Sequence, residues 1–186
     1  MIVTVLWEDQ RGAETKGFGP HELLLTCVAD DLSMNRESLG GVVQSHPKKG
    51  VGNVRAAIVR DILRLTRSGP VFVVVDRDKI RDLWKSADIQ PANCMTGISQ
   101  RFHQDAPGDY DLLFLIDNVE SLIEAACLAL DIPCPEAKPN PDERDRLLAR
   151  ATWSSQNVRA AIRKRCPSFD RVVKRIANRI SQRRRK

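Results

Sequence analysis

The chain has 186 residues, 42% hydrophobic and 29% charged, enough apolar material for one domain or a domain with a helical appendage. That balance argues against wholesale disorder, and no stretch approaches the roughly 18 apolar residues of a membrane span. The net charge of +6 conceals an asymmetry: residues 159–186 hold 12 of the 30 Lys and Arg and one acid, Asp170. One end is strongly basic and the remainder mildly acidic, a polarity that suits an anionic polymer at that end.

Residues 2–7, IVTVLW, read as a buried first strand that runs straight into Glu8 and Asp9. This start lacks the basic region of a signal peptide, so a cytoplasmic chain without membrane contact is expected. Residues 10–19 carry three glycines and read as loop. Pro20 suits a first helical turn, and HELLLTCVADDL continues as a helix. Residues 33–53 look like loop with a short strand at GVVQS. VRAAIVRDILRLTR is an amphipathic helix with apolar positions 54, 58, 62, 63 and 65, ended by Ser68-Gly69-Pro70.

VFVVV at 71–75 is the strongest strand. Five consecutive apolar residues predict cover on both faces, as in a parallel sheet. Residues 79–87 are expected to start a helix, and 86–110 read as mixed. DLLFLI at 111–116 is another buried strand, and VESLIEAACLAL an apolar-faced helix. IPCPEAKPNP, with four prolines, reads as a linker. Two helical segments follow, 142–151 and 155–182, broken at Cys166-Pro167. The expected class is therefore α/β, a mostly parallel central sheet flanked by helices, with a C-terminal helical extension. The expected domains are 1–131 and 132–186.

Three strands meet acids at their C-terminal ends: Glu8-Asp9, Asp76-Arg77-Asp78, and Asp117 with Glu120 one turn into the next helix. Open parallel sheets bind ligands outside those ends. Carboxylates crowded on one rim repel unless a cation shares them, and hard oxygen donors suit Mg2+ or Mn2+. In VVVDRD the two aspartates, two residues apart on a strand, project to one side.

Strand-Glu8 followed by strand-VFVVVDRD resembles the TOPRIM domain shared by topoisomerases, primases and OLD-type nucleases. KKGVGNVRAAIVRDI, LLFLIDNVESLIEAACLAL, KPNPDERDRLLARA and CPSFDRVVKRI look like the small stand-alone members related to OLD nucleases. The resemblance implies a compact α/β fold and divalent-metal-dependent phosphodiester chemistry. It implies Glu8 as metal ligand or general acid/base, Asp76 and Asp78 as the metal-binding pair, and Glu120 as ligand to a second metal. Where many relatives have glycine after the first glutamate, this chain has Asp9, a candidate ligand. For the distal lysine of some OLD-like members, Lys138 and Lys164 are both candidates. An ATPase partner in phage defence is implied by the same analogy. The alternative is a nucleic-acid-binding subunit with weak or no catalysis. A haloacid-dehalogenase-type phosphatase also uses a strand and DxD, but usually on its first strand with Thr or Val where Ile80 stands here.

The basic end mixes apolar positions 158, 162, 169, 172, 173, 176 and 180 with arginines, a helix packed on one face and basic on the other. Backbone contact to nucleic acid is expected from Arg159, Arg163, Lys164, Lys174, Arg183, Arg184 and Arg185, joined by Lys48 and Lys49. Aromatics are scarce at 5%, so base stacking is not expected. Trp7, Trp84 and Trp153 are expected in packing roles. The five cysteines, without a CxxC pair, read as reduced structural thiols.

Overall fold

A computed structural model of the chain describes residues 2–8, 19–76, 94–116, 119–135 and 139–184. The fold class is α/β, with a four-stranded all-parallel sheet and C-terminal helices. The chain packs as two compact units, residues 1–13 with 43–114, and residues 14–42 with 115–186. This division does not follow the 131/132 boundary expected from the prolines.

The first unit is built on strands β1 (Val3–Glu8), β2 (Val43–Lys48), β3 (Val71–Asp76) and β4 (Asp111–Leu115), in the order β2-β1-β3-β4. β1 is parallel to both neighbours, with Leu6 opposite His46 and Val73, and Glu8 opposite Lys48. Val3, Val5, Leu6 and Trp7 of β1 and Val71 to Val75 of β3 are all buried, so both faces of these strands are covered. That is why they read as unbroken apolar runs rather than alternating ones. Trp7 is in the core, as expected.

Helix α3 (Val51–Ser68) lays Val54, Ile58, Ile62 and Leu65 on the face made by Leu6, Val71, Val73 and Val75. It follows β2 through Gly50, whose φ of 80° lies where glycine is favoured. Ile98 and Phe102 of a further helix, α4 (Cys94–Asp105), join the same cluster with Ala106 and Tyr110. Each such large side chain contributes about 1.5–3 kcal/mol on burial. α4 is not legible as a helix in the sequence because Gly97 and a run of polar residues interrupt its apolar positions Met95, Ile98 and Phe102. The turn after α4 passes so close to α3 that a Cβ on Gly108 would sit 2.5 Å from Cγ1 of Ile62. The helix expected at 79–87, and Trp84 within it, lie outside the described residues.

The second unit is helical: α1 (Pro20–Asp31), α2 (Arg36–Gly40), α5 (Val119–Leu130), α6 (Pro141–Thr152), α7 (Gln156–Arg165) and α8 (Pro167–Arg184). α1 is buried nearly all round, from Leu23 through Ala29, as a helix with neighbours on several sides must be. It packs against α2, α6, α7 and α8, and α5 packs against α6 and α7. The short α2, capped by Asn35, stands within the segment 33–53 that the sequence reads as loop with a short strand. Asn140 and Ser155 cap α6 and α7, and Pro167 separates α7 from α8 as expected. Trp153 corrects its expected packing role: it sits past the end of α6 and is 69% exposed.

Ion pairs cross-brace these helices. Arg159 Nε and Nη2 hold Asp30 of α1 at 2.6 and 2.7 Å, while its Nη1 donates to the carbonyls of Thr152 and Ser154. Arg163 donates to Asp31 and, through Nε, to Asp170 at 2.7 Å. Lys174 closes on Asp170 at 2.7 Å. Ser168 Oγ accepts the Ile116 N–H at 2.9 Å.

The Arg159 and Asp30 side chains keep only 11% and 15% of their exposure. Removing one partner strands the other, so Arg159→Ala is expected to lower unfolding free energy by about 3 kcal/mol in urea titration. Asp170 supplies a pH signature. Burial opposes its ionisation, but the Lys174 and Arg163 hydrogen bonds outweigh this and hold its pKa below the ordinary 3.8. A depressed folded-state pKa gives stability that is present above the ordinary value and lost as pH falls through the depressed one. Urea midpoints are therefore expected to drop on acidification below about pH 4, and less steeply for Asp170→Asn.

Candidate functional site

The sheet order places a reversal between β1 and β3. From β1 the chain first adds β2 on one side, then β3 on the other. In open α/β sheets the crevice outside the carboxyl ends of two such strands is where ligands bind, because the flanking connections diverge there. Glu8 closes β1 and Asp76 closes β3. Both are half-buried, at the point where the buried apolar runs stop.

The two residues meet. Glu8 Oε2 accepts the backbone N–H of Asp76 at 3.0 Å, just beyond the last paired residues, Trp7 and Val74. A side-chain carboxylate thus continues the ladder where the strands end, and fixes Glu8 over the end of β3. On the other side of Glu8 stands Lys48, its register partner at the end of β2. In a parallel pair, register partners lie on the same face, so the rim presents Lys48 and Glu8 side by side, while Asp76, one position past the level of Glu8 on β3, meets Glu8 through its backbone N–H. Two residues down β2, His46 faces the same way, opposite Leu6. Burial lowers its pKa below the ordinary 6.5, and the charges of Lys48 and Arg64 add to this against Asp61. His46 is therefore neutral at neutral pH, available as a hydrogen-bonding group rather than a cation.

The remaining expected residues divide. Asp9 and Asp78 lie outside the described residues, as do Lys138 and Arg185. Among the described residues no group of three or more His, Cys, Asp or Glu side chains is disposed to hold a metal ion. The described carboxylates at the rim are Glu8 and Asp76, hard oxygen donors of the type that Mg2+ and Mn2+ take. That donor chemistry fits such an ion, with Asp9 next to Glu8 and Asp78 two residues after Asp76 in sequence. Glu120 is exposed in the first turn of α5 and belongs to the helical unit.

The basic end is sorted by the fold. Arg159 and Arg163 depart from the phosphate-contacting face expected of them: their guanidiniums are committed to Asp30, Asp31 and Asp170 inside the helical unit. Their spacing of four is that of a helix face turned inward, and the aspartates of α1 were too far away in sequence to reveal it. α8 buries Phe169, Val172, Val173, Ile176, Ala177 and Ile180. Its opposite side exposes Arg171, Lys174, Arg175 and Arg179, and Lys164 and Arg165 are exposed at the end of α7. Lys49 is exposed beside the half-buried Lys48. Arg171, Arg175 and Arg179 extend the expected basic set and were legible from the i, i+4 spacing that the apolar stripe leaves free.

No family model matches the chain, and no curated protein matches its sequence.

The Glu8 contact has a measurable consequence. Glutamine keeps an oxygen for the Asp76 N–H, whereas alanine leaves that part-buried donor without it. Glu8→Ala is expected to cost about 1–2 kcal/mol of stability and Glu8→Gln less than half of that, read from paired denaturant titrations.

Proposed function

We propose that the protein is a divalent-metal-dependent phosphodiester hydrolase acting on nucleic acid, a nuclease of TOPRIM type working in the cytoplasm. The observation that supports this reading most is the meeting of Glu8 and Asp76 at the crevice where the sheet order reverses. Glu8, Asp76 and Asp78 would hold Mg2+ or Mn2+, with Asp9 as a further ligand and Glu120 as ligand to a second ion. The bound metal supplies charge stabilisation of the phosphoryl oxygens and an acidified water. Glu8, held by the Asp76 amide, keeps a fixed carboxylate at the rim that can orient or deprotonate that water. Lys48, across from Glu8, offers a cation to a phosphate oxygen without competing for the carboxylates' position. The exposed arginines of α8, with Lys164 and Arg165, suit sequence-tolerant backbone contact. An ATPase partner and a role in phage defence rest on the family resemblance.

The test is cleavage of single-stranded DNA, double-stranded DNA and RNA with Mn2+ by the full chain and its variants. Wild type is expected to cut, and Glu8→Gln and Asp76→Asn to lose at least about a hundredfold in rate with unchanged folding, since an amide keeps shape but loses charge and basicity. Equal trace cleavage by wild type and Asp76→Asn would make that activity a contaminant. A chain that binds nucleic acid in a salt-dependent manner but cuts nothing would be a binding subunit.

A further inference from the structure

Helix α5 ends in a reversal. Asp131 adopts φ 53°, in the left-handed region that short polar side chains tolerate, and the Ile132 N–H returns to the Cys127 carbonyl at 3.1 Å. The segment after it is thereby folded back along the helix it has just left. Cys134 Sγ reaches a point 3.9 Å from the Glu124 carbonyl oxygen, one turn before Cys127. The chain at 132–134 thus runs back beside residues 124–127, and the Cys134 side chain is a hydrogen-bond partner of the Cys127 thiol. Cys127 is buried and Cys134 exposed, and both are free thiols.

We propose that Cys127 and Cys134 form a peroxide-sensitive dithiol that closes to an intramolecular disulfide. The exposed Cys134 meets the oxidant. Its sulfur attacks one oxygen of hydrogen peroxide, the O–O bond breaks, and a water leaves, making Cys134 a sulfenic acid. Cys127 sulfur then attacks Cys134 sulfur; the S–O bond breaks, the Cys127 proton leaves with the hydroxyl as a second water, and the S–S bond forms. The two thiols supply the two electrons that reduce one peroxide to two waters.

The roles follow from the surroundings. Burial, and then the hydrogen bond with Cys134, push the Cys127 thiol up to about 11. It is a poor first nucleophile for a dissolved oxidant, but one already placed against the sulfur it must attack. Cys27 is buried and pushed up to about 12 mainly by that burial, and Cys166 is buried with its sulfur 3.7 Å from the Ser121 carbonyl oxygen. Closing the pair would tie 132–135 to the last turn of α5, from which the chain continues into α6. This site is independent of the carboxylate rim, and its test does not require nuclease activity.

The reduced full chain is treated with equimolar hydrogen peroxide, the remaining thiols are alkylated, and intact and peptide masses are measured. Wild type is expected to lose two hydrogens and yield a Cys127–Cys134 cross-linked peptide that dithiothreitol reverses. Cys127→Ser is expected to stop at a Cys134 sulfenic acid trapped by dimedone. Cys134→Ser, a change at an exposed position, is expected to leave Cys127 reduced. Overoxidation of Cys134 in wild type with Cys127 still alkylated would overturn the proposal, and so would a disulfide from Cys134 to another cysteine or another chain.

Discussion

A strand that has neighbours on both edges and apolar cover on both faces can place polar residues only past its end. β1 is such a strand: β2 and β3 take its edges, and residues 3 to 7 are buried. Glu8 is the first position at which a carboxylate can be solvated, and the same holds for Asp76 at the end of β3. Because the two strands are parallel neighbours, both exits open onto one rim. The chemistry of the rim therefore depends on the burial of the strands beneath it. Any change that shortened the apolar run of β1 or β3 would move the carboxylates away from each other as well as weaken the core.

The 3.0 Å contact between Glu8 and the Asp76 amide adds direction to this placement. A free glutamate at a strand end samples several rotamers, and ordering it carries an entropic cost. Here the Asp76 backbone N–H holds the carboxylate and leaves it aimed, offsetting part of that cost. Lys48 stands level with it on the neighbouring strand. A rim of this composition can be held together as a folded structure and still present oxygen donors outward.

The helical unit solves a different problem. Twelve basic residues in the last 28 would repel one another if all faced water. Two of them, Arg159 and Arg163, are instead turned inward to Asp30, Asp31 and Asp170, where desolvation makes pairing necessary and the contacts to Asp30 and Asp31 are bidentate. The pairs join α1 to α7, helices more than a hundred residues apart, and so specify how those helices meet. The basic residues left outside form a surface stripe. One charge run thus serves two ends, bracing and exposure, divided by the 3.6-residue period of the helix.

The sequence by itself determined the element types wherever a pattern was strong. The apolar runs at 2–7 and 71–75, the stripe of α3 and the break at Pro167 each carry a local physical signal, and so do the carboxylates that stop the strands. It also determined the α/β class, because buried strands alternating with helices have few other ways to pack. The weak patterns failed: α4, whose apolar positions are interrupted by Gly97 and polar residues, and α2, five residues long. Pairings at long range were decided only by the tertiary structure. Nothing local says that Glu8 would take the amide of Asp76, that Arg159 would find Asp30, or that α1 would join the C-terminal helices rather than the sheet. Nor does it say that Trp153 would lie outside. Each depends on which surfaces meet, and that is set by the summed burial of the whole chain rather than by any window of its residues.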